Sequence, residues 1–219
     1  MTVRKISFSI DEHYHIYSRG VDKRKIFLNG DDYRRFIRLM FLCNGEEPVV
    51  YRETENQSLK EIRTGKKLIA IGAYCLMPNH FHLLVREITE GGTVRFMSKL
   101  LTAYSAYFNK KHARTGALFG SEFKAEHLDT DEYLKYIFAY IHLNPLKLVD
   151  SEWRIKRIDW KTAKQHLAKY QFSSYTDYTE EVIREYSLVL NKKIFPEYFP
   201  QVRDFQPYIR DWIELDYFT

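Results

Sequence analysis

The chain has 219 residues, 45% hydrophobic and 29% charged, with nine Gly and six Pro, a composition that can bury a core and excludes fibrous and disordered classes. No apolar run approaches the roughly 18 residues of a membrane-crossing helix, and the first residues lack a secretory apolar stretch, so a cytoplasmic protein with no membrane partner is expected. Lys and Arg number 34 against 29 acidic residues, net charge +5 with pI near 9.0, a balance that favours a polyanionic partner.

In chain order, His13–Arg19 alternates and runs into Gly20, as a strand entering a turn does. Asp31–Cys43 opens on acidic residues and sets Phe36, Leu39, Met40 and Cys43 on one face, which predicts a helix. Residues 44–66 are polar and turn-rich. Lys67–Met77 and His80–Arg86 read as two strands joined by the tight pair Pro78-Asn79. After Gly91-Gly92, Thr93–His112 carries apolar residues at helical spacing; Ser121–Leu128 reads as a strand; Thr130 caps a helix over Asp131–Leu143, stopped by Pro145. The alternation predicts a compact antiparallel α+β sheet with helices on one side. Beyond residue 150 the chain changes character, with Trp153, Trp160 and helices expected near Thr179–Leu190 and Gln201–Ile213. Cys43 and Cys75 form no CxxC pair, which excludes a thiolate zinc site.

Two local patterns carry chemistry. In the strand at His80–Val85, His80 and His82 share a face while Phe81, Leu83 and Val85 point to the other. Two imidazoles roughly 6–7 Å apart along a strand can converge on one divalent ion, or be two hydrogen-bonded surface histidines. On the last core helix, Tyr140 and Asn144 are four apart and lie one above the other, so an amide oxygen can turn to a metal beside a hydroxyl nucleophile. A phenol is a weak nucleophile at neutral pH, and a Lewis acid on the scissile phosphate is the assistance it needs. Two imidazoles and one amide oxygen leave open positions, which suits Mg²⁺ or Mn²⁺ better than zinc. Tyr104 and Tyr107 are rival nucleophiles on the preceding helix, each equally readable as core or as a base-stacking platform. His142, on the far side of its helix from Tyr140, reads as a surface histidine, and His13 and His15 as a first-strand feature.

The set His15–Gly20, MPNHFHLLV at 77–85, Tyr107-Phe108-Asn109, Phe123-Lys124, YIHLNPLK at 140–147 and Phe172–Tyr175 resembles the REP-associated tyrosine transposases, single-tyrosine nucleases of the HUH type. The resemblance covers about residues 10–178. It implies a ferredoxin-like sheet, with a nuclease and transposase domain over 1–150 and a helical C-terminal accessory segment over 151–219. The implied reaction is cleavage and rejoining of single-stranded or hairpin DNA through a 5′-phosphotyrosine at Tyr140, with His80, His82 and Asn144 holding the metal. Arg19, Lys23, Arg24, Lys25, Lys110, Lys111 and Lys124 are the candidate phosphate contacts. Monomer and homodimer both stay open. The alternatives are a non-catalytic DNA-binding regulator on the same fold and a hydrolytic phosphoesterase in which Tyr140 is structural.

Overall fold

In the computed structural model, which describes residues 6–120, 122–156, 158–180, 184–198 and 201–214, the strand and helix signals resolve into two interleaved β-α-β units. Strands β1 (His13–Arg19), β2 (Ile69–Met77), β3 (His80–Glu87) and β4 (Lys124–His127) form one antiparallel sheet of order β2-β3-β1-β4. Helix α1 (Gly30–Cys43) connects β1 to β2, and α3 (Gly92–Lys111) connects β3 to β4. A short helix, α2 (Tyr51–Thr54), lies in the polar stretch between α1 and β2. This is the ferredoxin-like α+β arrangement. The protein contains no helix long and apolar enough to cross a membrane among the described residues.

Both faces of the sheet are covered. Tyr14 and Ile16 of β1 and Phe81, Leu83 and Val85 of β3 pack under α1 and α3, with Phe36, Ile37, Phe96, Leu100 and Tyr104 in the same apolar cluster. Those two helices are the layer expected on one side. The opposite face is covered as well, by α4 (Asp131–Leu143) and by the C-terminal helices α5 (Trp160–Lys169), α6 (Tyr175–Thr179) and α7 (Val202–Glu214). The second layer exists because β2 is apolar on both faces: its Ala73, Cys75 and Met77, with Leu84 of β3, face α4 and need cover. The helix expected near Thr179–Leu190 spans residues 181–183, which lie outside the described ones; Glu185–Val189 is a 3₁₀ turn.

Two local features aim the site. A bulge between Ile71 and Ala73 inserts Gly72 into β2, so that Ile71 stays on the α1 side while Ala73 faces α4. Helix α4 begins where the Thr130 side chain accepts from the Tyr133 N–H and continues through Leu143 into a 3₁₀ turn, Asn144–Leu148, that has Pro at its start. Helix α4 thus packs against β2 and β3, with the turn just after it against β2.

Candidate active site

Strand pairing brings together side chains that are far apart in sequence. Tyr17 is opposite His82 and Arg19 opposite His80 in the β1–β3 register. His15, two residues back on the same face of β1, places its Nε2 2.8 Å from His82 Nδ1. The first strand's histidine is thus part of the site, a correction to its reading as a strand feature; the cause is the sheet order, which sets β1 beside β3. His13, on the same face, instead has its ring 5.4 Å from the Phe195 ring and tilted to it. The His80 and His82 rings are 5.0 Å apart and perpendicular, and the Tyr140 ring stands 5.4 Å from His82 and 6.0 Å from His15.

These groups line one cavity of about 910 Å³, together with Tyr17, Arg19, Lys23, Lys124, Glu126, Tyr133, Lys147 and Arg154. Both strand histidines are held neutral. Burial, helped by His15, His80, Lys147 and Arg19, pushes His82 well below the ordinary imidazole range. Burial, then Arg19 and Lys147, takes His80 down to about 4. A neutral imidazole with a free nitrogen is the form that binds a metal. His82 Nε2 is buried and without a hydrogen-bond partner among the described residues. Such an atom is costly unless something else takes its lone pair, and a divalent ion is a suitable taker. Among the described residues no group of three or more His, Cys, Asp and Glu could hold a metal; of the three ligands expected from the sequence, His80 and His82 line the cavity and Asn144 does not.

Asn144 is buried, its Nδ2 donating to the Tyr140 carbonyl and its Oδ1 accepting from Lys147 Nζ at 3.0 Å. Lys147 also donates to the Tyr140 hydroxyl at 3.3 Å. The Arg154 guanidinium lies 5.5 Å from the Tyr140 ring centre. Neither cation was singled out by the sequence, although Lys147 sits three residues after Asn144 and seven after Tyr140, the spacing of one helical face.

The rival tyrosines are occupied elsewhere. Tyr104 is fully buried on the α1 side, its hydroxyl donating to the Ile26 carbonyl. Tyr107 donates to Asp32 and accepts from Lys111. Lys111 is itself committed to Asp32 at 2.9 Å, and neither it nor Lys110, Arg24 or Lys25 lines the cavity, whereas Arg19, Lys23 and Lys124 do. His142 is fully buried, with Nδ1 2.8 Å from the Phe138 carbonyl and Nε2 2.8 Å from Ser174 Oγ. It is not the surface residue the helical spacing predicts, because the C-terminal segment covers that side of α4.

The family model of IS200-like transposases matches residues 32–144, just over half of the chain. The protein belongs to the IS200-like transposase family, a family of DNA-processing enzymes. Among solved structures, a REP-associated tyrosine transposase bound to a REP hairpin is similar at 13% identity, covering 81% of this chain and 84% of the solved one with a TM-score of 0.49. No curated protein matches the chain.

Proposed function

We propose that this transposase cleaves and rejoins single-stranded, hairpin-bearing DNA through a covalent 5′-phosphotyrosine at Tyr140. The observation that carries the reading is the meeting, in one cationic cavity, of Tyr140 with His80 and with His82, whose buried Nε2 has no hydrogen-bond partner among the described residues. His80, His82 and the Asn144 amide oxygen would hold Mg²⁺ or Mn²⁺. When bound, such an ion withdraws charge from a scissile phosphate.

The chain's own groups do the rest. Arg19, Lys23 and Lys124 at the cavity wall position the phosphodiester backbone without reading sequence. The Tyr140 oxygen attacks phosphorus; the new P–O bond forms as the P–O3′ bond breaks, and the phenolic proton is released as the departing 3′ oxygen becomes a hydroxyl. Lys147, on the attacking oxygen, stabilises the charge that gathers there. The same 3′-OH, or that of another strand, later attacks the phosphotyrosine, restoring the phenol and conserving bond energy. Residues 1–150 carry this chemistry in the proposal, with 151–219 as the accessory segment.

The test is a denaturing-gel assay on labelled single-stranded DNA carrying hairpins from the gene's flanks, with Mg²⁺ or Mn²⁺. Wild type should form a covalent adduct that Tyr140→Phe abolishes and His82→Ala reduces to background. An adduct that survives Tyr140→Phe would refute the nucleophile, and tight hairpin binding without any adduct would favour the regulator.

A further inference from the structure

We infer that Glu126 and His15 are positioning residues that set the tautomer of His82, so that its Nε2 faces the cavity as a lone pair. The inference rests on the metal reading above and deepens it. His15 Nδ1 is 3.4 Å from Glu126 Oε2, and His15 Nε2 is 2.8 Å from His82 Nδ1. A carboxylate accepts only, so the His15 Nδ1 carries the proton and donates. When His15 carries only that proton, its Nε2 is the acceptor and takes the His82 Nδ1–H. His82 Nε2 is left without a hydrogen, which matches the one nitrogen of that ring that has no hydrogen-bond partner among the described residues.

The anchor is itself fixed. Tyr17 donates to Glu126 Oε1 at 3.0 Å and Tyr133 to Oε2 at 2.9 Å. These three residues come from β1, β4 and the start of α4, so the carboxylate ties together the elements that surround the histidines. The first ligand is oriented in the same sense. Asn79 Nδ2 donates to the Lys23 carbonyl, which can only accept, so its Oδ1 must face His80 Nδ1 at 2.6 Å and take that proton. Both rings therefore present Nε2. A carboxylate or carbonyl behind a ligating histidine is the arrangement that fixes ring orientation and raises ligand basicity.

The experiment uses the full-length, metal-free protein labelled with ¹⁵N-histidine. Its spectrum should show His82 protonated at Nδ1 and unprotonated at Nε2, with the signal assigned by its loss in His82→Ala. In Glu126→Ala that signal should shift toward a mixture of tautomers, and Mn²⁺ affinity, read by the free-ion paramagnetic resonance signal, should fall about 10–100-fold. Glu126→Gln, which preserves size and hydroxyl contacts, should move both readouts in the same direction by less, since an amide can turn either end to His15. A Glu126 that merely supports the fold would lower stability without moving the tautomer. His82 protonated at Nε2 in wild type, or an unchanged tautomer and Mn²⁺ affinity in both variants, would overturn the inference. Failure of wild type to bind Mn²⁺ would instead overturn the metal reading, with the spectrum alone deciding the relay.

Discussion

Lys147 holds its ammonium against both the Tyr140 hydroxyl and the Asn144 oxygen, a position that matters most when negative charge develops on the attacking oxygen. Replacing it by Met keeps the aliphatic stem and removes the charge. The cleavage rate should then fall on the order of 10²-fold, the typical loss for one preorganised donor, with a much smaller change in DNA affinity. A rate that drops only in proportion to affinity would reduce Lys147 to one more phosphate contact. Asp32 provides a second residue-scale case, on the other face of the sheet. Its buried carboxylate accepts from the Leu28 N–H, Tyr107 and Lys111 and faces His112. Burial pushes its pKa up, but Lys111, the Leu28 N–H, His112 and Tyr107 outweigh it and leave the group below its ordinary value of 3.8. A depressed folded pKa contributes stability that is complete above the unfolded value and is lost as pH falls through the folded one. Asp32→Asn should therefore be less stable than wild type by about 2–3 kcal/mol at pH 7, and the gap should narrow only below about pH 4. Thermal melts from pH 3 to 7 decide it; a gap that is constant down to pH 3 would contradict the assignment.

At the scale of elements, Gly72 shows how one position sets the aim of a strand. A Cβ there would lie 2.8 Å from the Phe195 ring, and the Gly72 carbonyl accepts from the Tyr178 hydroxyl. Gly72→Val should cost about 1–3 kcal/mol in urea unfolding by crowding Phe195; no loss would mean that the ring moves aside freely. The bulge is also a measure of what a sequence can show. The alternation His80–Val85, the helical spacing from Asp131 and the cap at Thr130 are local periods, and the structure places β3 and α4 where those periods put them. The shared face of His80 and His82 and the helical position of Tyr140 could be read because each lies within one such element, whereas Asn144 lies just past the end of α4. His15 against His82, and Glu126 behind it, could not be read, since they depend on β1 lying between β3 and β4, a long-range pairing that no local period encodes. His142 was misread for the same reason: a helical wheel shows which residues share a side, and only the chain beyond residue 150 shows what covers it.

Over the whole molecule, the segment after residue 150 closes the sheet as well as covering it. Leu76 N–H donates to the Phe172 carbonyl, Ser174 N–H to the Tyr74 carbonyl and Asn191 N–H to the Ile71 carbonyl, so the outer edge of β2 is bonded along much of its length. An unpaired edge that apolar would be a template for aggregation. Phe205 and Ile209 of α7 are fully buried in the same cluster as Ile137, Phe138 and Ile141 of α4, and Ser174 bonds His142 from the side. Helix α4 is thus packed between the sheet and the C-terminal helices, and it carries Tyr140 with Asn144 just past its end. A chain ending at residue 150 would expose both the β2 edge and the outer side of α4. It should be poorly soluble or bind a hydrophobic dye, and form no adduct even with Tyr140 intact. In the full chain, Phe205→Ala should lower stability by about 3–5 kcal/mol, the usual range for emptying a buried phenylalanine site, and do so within a single cooperative transition. Two separate transitions in calorimetry, or a truncated chain that melts cooperatively and still cleaves DNA, would show that the segment is an appendage and that the tyrosine helix is held by the sheet alone.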